Sequence, residues 1–161
     1  MTCSLDALHR FASTLFERTG VPAEDASLAA GVLLAADLRG IDSHGVARLR
    51  GYYEMLAAGL INPRPRARVV RATATTATVD GDNGLGLVVA PRANELAMEV
   101  DDLVRTLRAT PPVPGTDGPL IPGDPERAAE AVRRRDGIPL IEPVAADLVA
   151  LAAETGVSIG R

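Results

Sequence analysis

The chain has 161 residues, 47% of them hydrophobic and 24% charged, enough for one compact domain and too apolar for wholesale disorder. Aromatic residues are scarce, with two Phe, two Tyr and no Trp, so the core must be built from Leu, Val, Ile and Ala, which favours closely packed helices. A net charge of -4 leaves no global field to attract nucleic acid or anionic lipid, and no stretch approaches the roughly 20 apolar residues that cross a bilayer.

Ser4 is placed to cap a first helix on which Leu5, Leu8, Ala12, Leu15 and Phe16 form one apolar stripe, with Gly20 as its stop. The single cysteine, Cys3, falls in an expected frayed N-terminus and offers neither an internal disulfide nor a metal anchor. Asp6, His9 and Arg10 interrupt the apolar run there. The N-terminus therefore does not read as a signal peptide, and a reduced, cytoplasmic location is expected. Pro22 suits the first turn of a second helix with a broad face of Ala26, Ala29, Ala30, Leu33, Leu34 and Leu38, closed by Gly40. The short link predicts an antiparallel pair. Ser43 reads as the cap of a third helix reaching about Ala58, with Leu49, Tyr52, Tyr53 and Leu56 turned to the core and Gly59 as its end.

Asn62-Pro63-Arg64-Pro65 breaks that helix, after which 66–73 and 75–80 are rich in Val and Thr and read as strands. Asp80 to Gly84 is a turn cluster. From Leu85 to about Leu107 the periodicity is helical, with Pro91 expected to kink the run or mark its first turn. Thr110 to Pro119 reads as an extended connector. Asp124-Pro125 opens a short helix ending in Arg133-Arg134-Arg135, Ile138 to Ile141 is a brief strand, and Pro143 starts a last helix closed by Gly156. The fold class expected is α+β: a helix-rich domain with a small sheet.

The most informative stretch runs from Asp37 to Leu49. His44 at the start of the third helix and Arg48 four residues on are expected to share one face. An imidazole exchanges a proton near neutral pH, as reduction of a ketone to an alcohol requires. A guanidinium beside it can grip a carboxylate through two parallel hydrogen bonds. The pair suits a 2-oxo or 2-hydroxy acid. Spacing alone also allows the plainer alternative, a surface histidine beside a solvated arginine.

The segment Leu38-Arg39-Gly40-Ile41-Asp42-Ser43-His44-Gly45-Val46-Ala47-Arg48-Leu49, followed by Tyr52-Tyr53 and Gly59, resembles the N-terminal signature of the malate/L-lactate dehydrogenase family, whose members lack the Rossmann fold. Val79-Asp80-Gly81 and Asn83-Gly84-Leu85-Gly86 match its next landmark. Ile121 to Glu126 and Gly137-Ile138-Pro139-Leu140 resemble its C-terminal segment. The resemblance implies an NAD(P)-dependent oxidoreductase, with NAD or NADP as cofactor, interconverting small 2-hydroxy and 2-oxo acids. By position it makes His44 the proton-transfer residue, Arg48 the carboxylate ligand and Ser43 a substrate-binding neighbour. It also implies a homo-oligomer and no GxGxxG loop, while charge and hydropathy argue against nucleic-acid and membrane partners.

The likeness departs from the family in one respect. Residues 1–99 resemble the family's N-terminal part and 100–161 its C-terminal part, joined near Glu99-Val100-Asp101. The long central segment that carries most nicotinamide contacts in the family is missing between them. Cofactor-binding residues are therefore not identified, and no metal site is expected. Hydride transfer needs the nicotinamide held against the substrate carbon. Two readings stay open: an oxidoreductase whose cofactor site is completed by a second copy or a partner, and a non-catalytic remnant that binds a small acid or only self-associates. A third, a nucleic-acid strip at Arg64, Arg66, Arg68 and Arg71, gives way to a solvated strand edge. Loss of the central segment is also expected to leave Leu85 to Leu107 as an exposed, association-prone face.

Overall fold

In the computed structural model the described residues are 1–73, 76–95 and 124–160. They fold as β1 (Thr2–Cys3), α1 (Leu5–Arg18), α2 (Ala23–Leu38), a 3-10 turn (Val46–Arg48), α3 (Leu49–Ala57), β2 (Arg68–Ala72), β3 (Ala77–Asp80), α4 (Gly86–Glu95), α5 (Asp124–Asp136), β4 (Ile138–Pro139) and α6 (Glu142–Thr155). The α+β, helix-rich fold class holds. The junction near Glu99-Val100-Asp101, the helical run beyond residue 95 and the connector Thr110 to Pro119 lie outside the described residues.

The expected ends of α1 are present. Ser4 Oγ accepts from the Ala7 N–H at 3.2 Å, and Gly20, with φ +92°, adopts the left-handed backbone that stops the helix. Pro22 is the N-cap of α2 rather than a residue of its first turn. α2 has few polar positions; Ala26, Ala29, Ala30, Leu33, Leu34 and Leu38 are all buried. Its small side chains let α1 approach closely, with Leu8, Phe11, Leu15 and Phe16 filling the contact.

The core is continuous from the N-terminal elements to α6. Ile138, Leu148 and Leu151 are fully buried in the same cluster as Phe11, Leu33 and Leu49. β1 pairs antiparallel with β4, placing Cys3 opposite Ile138. Cys3 is therefore not in a frayed end: strand pairing buries it, and it remains a free thiol. Arg50 adds a polar latch, donating to Asp147 Oδ1 at 2.5 Å and to Glu154 at 2.8 Å, which ties α3 to α6.

Among the described residues the small sheet content is divided into two separate two-stranded sheets. The second is the β2–β3 hairpin, whose register shifts between Val69 and Arg71. It stands largely exposed, with Val69 and Val70 open to solvent. Arg64 and Arg66 precede β2, so the alternating arginine strip is not formed. Arg64 donates to the Gly20 carbonyl and Arg68 pairs with Asp80. Pro91 lies inside α4, where it can give no N–H to the preceding turn. Leu85 and Val88 are buried, so the start of this run packs inward.

Candidate functional site

α2 delivers the candidate site. Leu38 is its last residue, Gly40 turns the chain with φ +80°, and the Ile41 N–H returns to the Ala36 carbonyl at 2.9 Å. A tight turn over 42–45 follows, with the His44 N–H donating to the Ile41 carbonyl at 3.0 Å. The third helix does not begin at Ser43. A 3-10 turn opens at Val46 and α3 at Leu49, because the Val46 N–H is taken by the Oδ2 of Asp37 at 2.8 Å. A carboxylate from the preceding helix thus caps the start of this one, the role expected of Ser43.

Asp37 is 2% exposed. Burial pushes its carboxyl up from 3.8 to about 6, opposed by the Val46 hydrogen bond, reinforced by Asp42 and opposed again by Arg133. Gly45 is required beside it. A Cβ there would collide with the Asp37 carboxylate, and φ of -89° shows that the demand is for space, not for a left-handed backbone.

The expected sharing of one helical face by His44 and Arg48 is not what joins them, since His44 precedes the helix. Ser43 joins them instead. Its hydroxyl lies 2.9 Å from His44 Nδ1, and its carbonyl accepts from Arg48 Nε at 2.9 Å. All three residues are exposed. Among the described residues His44 Nε2 and the two Nη atoms of Arg48 have no hydrogen-bond partner. The turn therefore offers one imidazole nitrogen and a guanidinium edge to solvent, a combination that can exchange a proton and bind an anion.

The outer side of the turn is held by α5. Arg133 Nη1 donates both to the Asp37 carbonyl and to Asp42 Oδ1, each at 2.5 Å. One turn earlier, Glu130 pairs with Arg39 at 3.5 Å and with Arg134 at 2.6 Å, which holds its carboxyl below the usual range. His9, half-exposed, bridges α1 and α2: its Nε2 lies 3.1 Å from the Ser27 carbonyl. Asp37 and Arg133 were not singled out in the sequence. For Asp37 a signal existed, an acid on the buried face between Leu34 and Leu38; for Arg133 none did, because a tertiary contact alone places it.

A cavity of about 350 Å³ lies between the hairpin, α4 and α2, lined by Asp25, Arg66, Arg68, Val79, Val88 and Arg92. Two of its arginines are already engaged, Arg68 with Asp80 and Arg92 with Asp25. It stands near the lower end of small-ligand pockets, about 300–1,000 Å³, and does not fit a whole dinucleotide. Among the described residues no group of three or more His, Cys, Asp or Glu is placed to hold a metal ion. No helix among them is long and apolar enough to cross a membrane.

Comparison with known proteins gives the geometry a family. The family model described as malate/L-lactate dehydrogenase matches residues 3–100. A malate dehydrogenase of Pyrococcus horikoshii is 44% identical over 94 residues, 58% of this chain and 26% of that protein. The L-sulfolactate dehydrogenase of Methanocaldococcus jannaschii is 45% identical over 85 residues, 53% of this chain and 25% of its own length. The chain thus spans about a quarter of the curated relatives it matches. The solved structure of sulfolactate dehydrogenase from the same organism superposes with a TM-score of 0.79, across 99% of this chain and 98% of that one. Its 17% identity over that span makes this a likeness of fold alone. With more than half of its residues, including the Ser43–Arg48 turn, inside the family match, the chain belongs to the malate/L-lactate dehydrogenase family.

Proposed function

We propose that the Ser43–His44–Arg48 turn is the substrate-acid side of an NAD(P)-dependent oxidoreductase site that interconverts a small 2-hydroxy acid and its 2-oxo acid. The double engagement of Ser43 carries this reading, since its hydroxyl meets His44 Nδ1 and its carbonyl holds Arg48 Nε. His44 passes a proton to or from the reacting oxygen through its unengaged nitrogen. Arg48, oriented through Nε, grips the neighbouring carboxylate with its remaining donors. Ser43 fixes the imidazole and shapes the pocket. Relatives named for malate and sulfolactate, both 2-hydroxy acids, support that substrate class.

A nicotinamide cofactor supplies hydride chemistry when bound, and none of the described residues is assigned to holding it. What they can do alone is bind the acid and move a proton. In this proposal residues 1–99 and 100–161 are the family's N- and C-terminal parts joined without its central segment. The pairing of β1 with β4 and the common core of α1, α2 and α6 support it. A homo-oligomer in the cytoplasm goes with this reading, the second copy contributing to the cofactor side.

The test is turnover of NADH or NADPH with pyruvate, oxaloacetate or a related 2-oxo acid, followed by nicotinamide absorbance. Turnover that disappears in His44→Ala and Arg48→Ala upholds the proposal. The short span relative to the relatives favours one second reading, a remnant that binds a small carboxylate or only self-associates. Saturable acid binding without turnover would select it.

A further inference from the structure

We propose that Arg133 is a positioning residue for the His44 turn, joining the last turn of α2 to Asp42 through one guanidinium nitrogen. Its importance for chemistry rests on the function proposed above; the positioning itself does not. The turn is pinned at two ends. On the buried side the Asp37 carboxylate holds the Val46 N–H. On the outer side Arg133 Nη1 binds the Asp37 carbonyl and the Asp42 carboxylate together. Asp37 therefore faces both pins, one through its side chain and one through its main chain. Between them run Ser43 and His44, both exposed, whose hydrogen bonds are local: His44 N–H to the Ile41 carbonyl, the Ser43 hydroxyl with His44 Nδ1, and Arg48 Nε to the Ser43 carbonyl.

The contact is a built one. The Arg133 side chain is only 18% exposed, and the helix lies over the glycine corner of α2. A Cβ at Gly40 would come within 3.8 Å of Arg133 and 3.9 Å of Ala129. The Arg39–Glu130 pair, 3.5 Å apart, links α5 to the same corner. Arg133 also places a positive charge between two acids that otherwise repel, Asp37 and Asp42. It lies beyond residues 3–100, the part matched by the family model. The C-terminal segment thus reaches the site through this side chain, 89 residues along the chain from His44 by their numbers.

Amide hydrogen exchange in the intact chain tests this without any ligand. The reporters are the His44 and Val46 N–H groups, whose acceptors sit on either side of the turn, with Leu15 in α1 as the core reference. Arg133→Ala is expected to speed exchange at His44 and Val46 by roughly tenfold or more relative to Leu15, the loss of one charge-assisted hydrogen-bond centre. Arg133→Lys should restore most of the protection, because a single nitrogen serves both acceptors and an ammonium carries three donors. Asp42→Asn, which leaves α5 intact, should give a smaller acceleration at His44, and it carries the test should Arg133→Ala fail to fold. Unchanged rates in the turn would overturn the proposal. So would acceleration spread evenly to Leu15, the mark of general destabilisation. Absence of 2-oxo acid binding would sink the proposed function while leaving these rates informative.

Discussion

Replacing Asp37 by asparagine should change how stability depends on pH, because burial raises the pKa of this carboxyl. The folded-state carboxyl lies at about 6 against 3.8 for the free group, chiefly because it is buried. Between those values the folded protein keeps a proton that the unfolded chain releases. Raising the pH therefore favours unfolding through that window. The contribution of this group is most favourable below pH 4 and falls by about 3 kcal/mol by pH 7, at about 1.36 kcal/mol per tenfold change. The substituted amide has no such proton, yet its side-chain carbonyl can still accept from the Val46 N–H. Any fixed cost of burying its amide N–H groups is independent of pH. Asp80, Glu130, Asp136 and Glu154, held low by hydrogen bonds to the Asp82 amide and to arginine partners, act in the opposite sense. Their stabilisation is present above the unfolded value and is lost as pH falls. They are common to both proteins and cancel in the difference. Urea unfolding at fixed ionic strength, taken from pH 4 to pH 8, supplies the two stability curves. The variant should gain about 2.4 kcal/mol relative to the parent across that range, the remainder of the roughly 3 kcal/mol lying below pH 4. Parallel curves would refute the assignment of a buried, proton-holding Asp37.

Gly45→Ala should destabilise by about 1–3 kcal/mol, because the new methyl must displace the Asp37 carboxylate. In an Asp37→Ala background the same change should cost much less, which a double-mutant cycle by chemical denaturation would measure. Leu148→Ala removes a fully buried side chain of α6 and should cost about 2–5 kcal/mol in the same assay. Arg50→Ala releases α3 from Asp147 and Glu154 on α6. With both acids substantially exposed, the loss should be about 1 kcal/mol and should shrink at high salt.

The helices that carry the core could be read from local rules. α1 has its Ser4 cap, its apolar spacing and Gly20; α6 begins beside Pro143 and ends at Gly156, whose φ is +67°. The clustering of Ser43, His44 and Arg48 could also be read. Its geometry could not. Helical spacing brings His44 and Arg48 together only if the helix starts at Ser43, and the buried Asp37 carboxylate moves that start to Val46. A polar side chain nine residues upstream overrides a local capping preference because its burial leaves it no solvent partner. Cys3 escaped local reading because a strand from the far end of the chain pairs with its own and buries it.

The claim that the turn recognises a 2-oxo acid can be tested on the two imidazoles of the chain, His9 and His44. Their carbon-bound proton resonances would be followed during titration with pyruvate, in the parent and in Arg48→Ala. A saturable shift at His44, absent at His9 and abolished by Arg48→Ala, is the predicted result. A silent His44, or a shift that survives loss of Arg48, would contradict it.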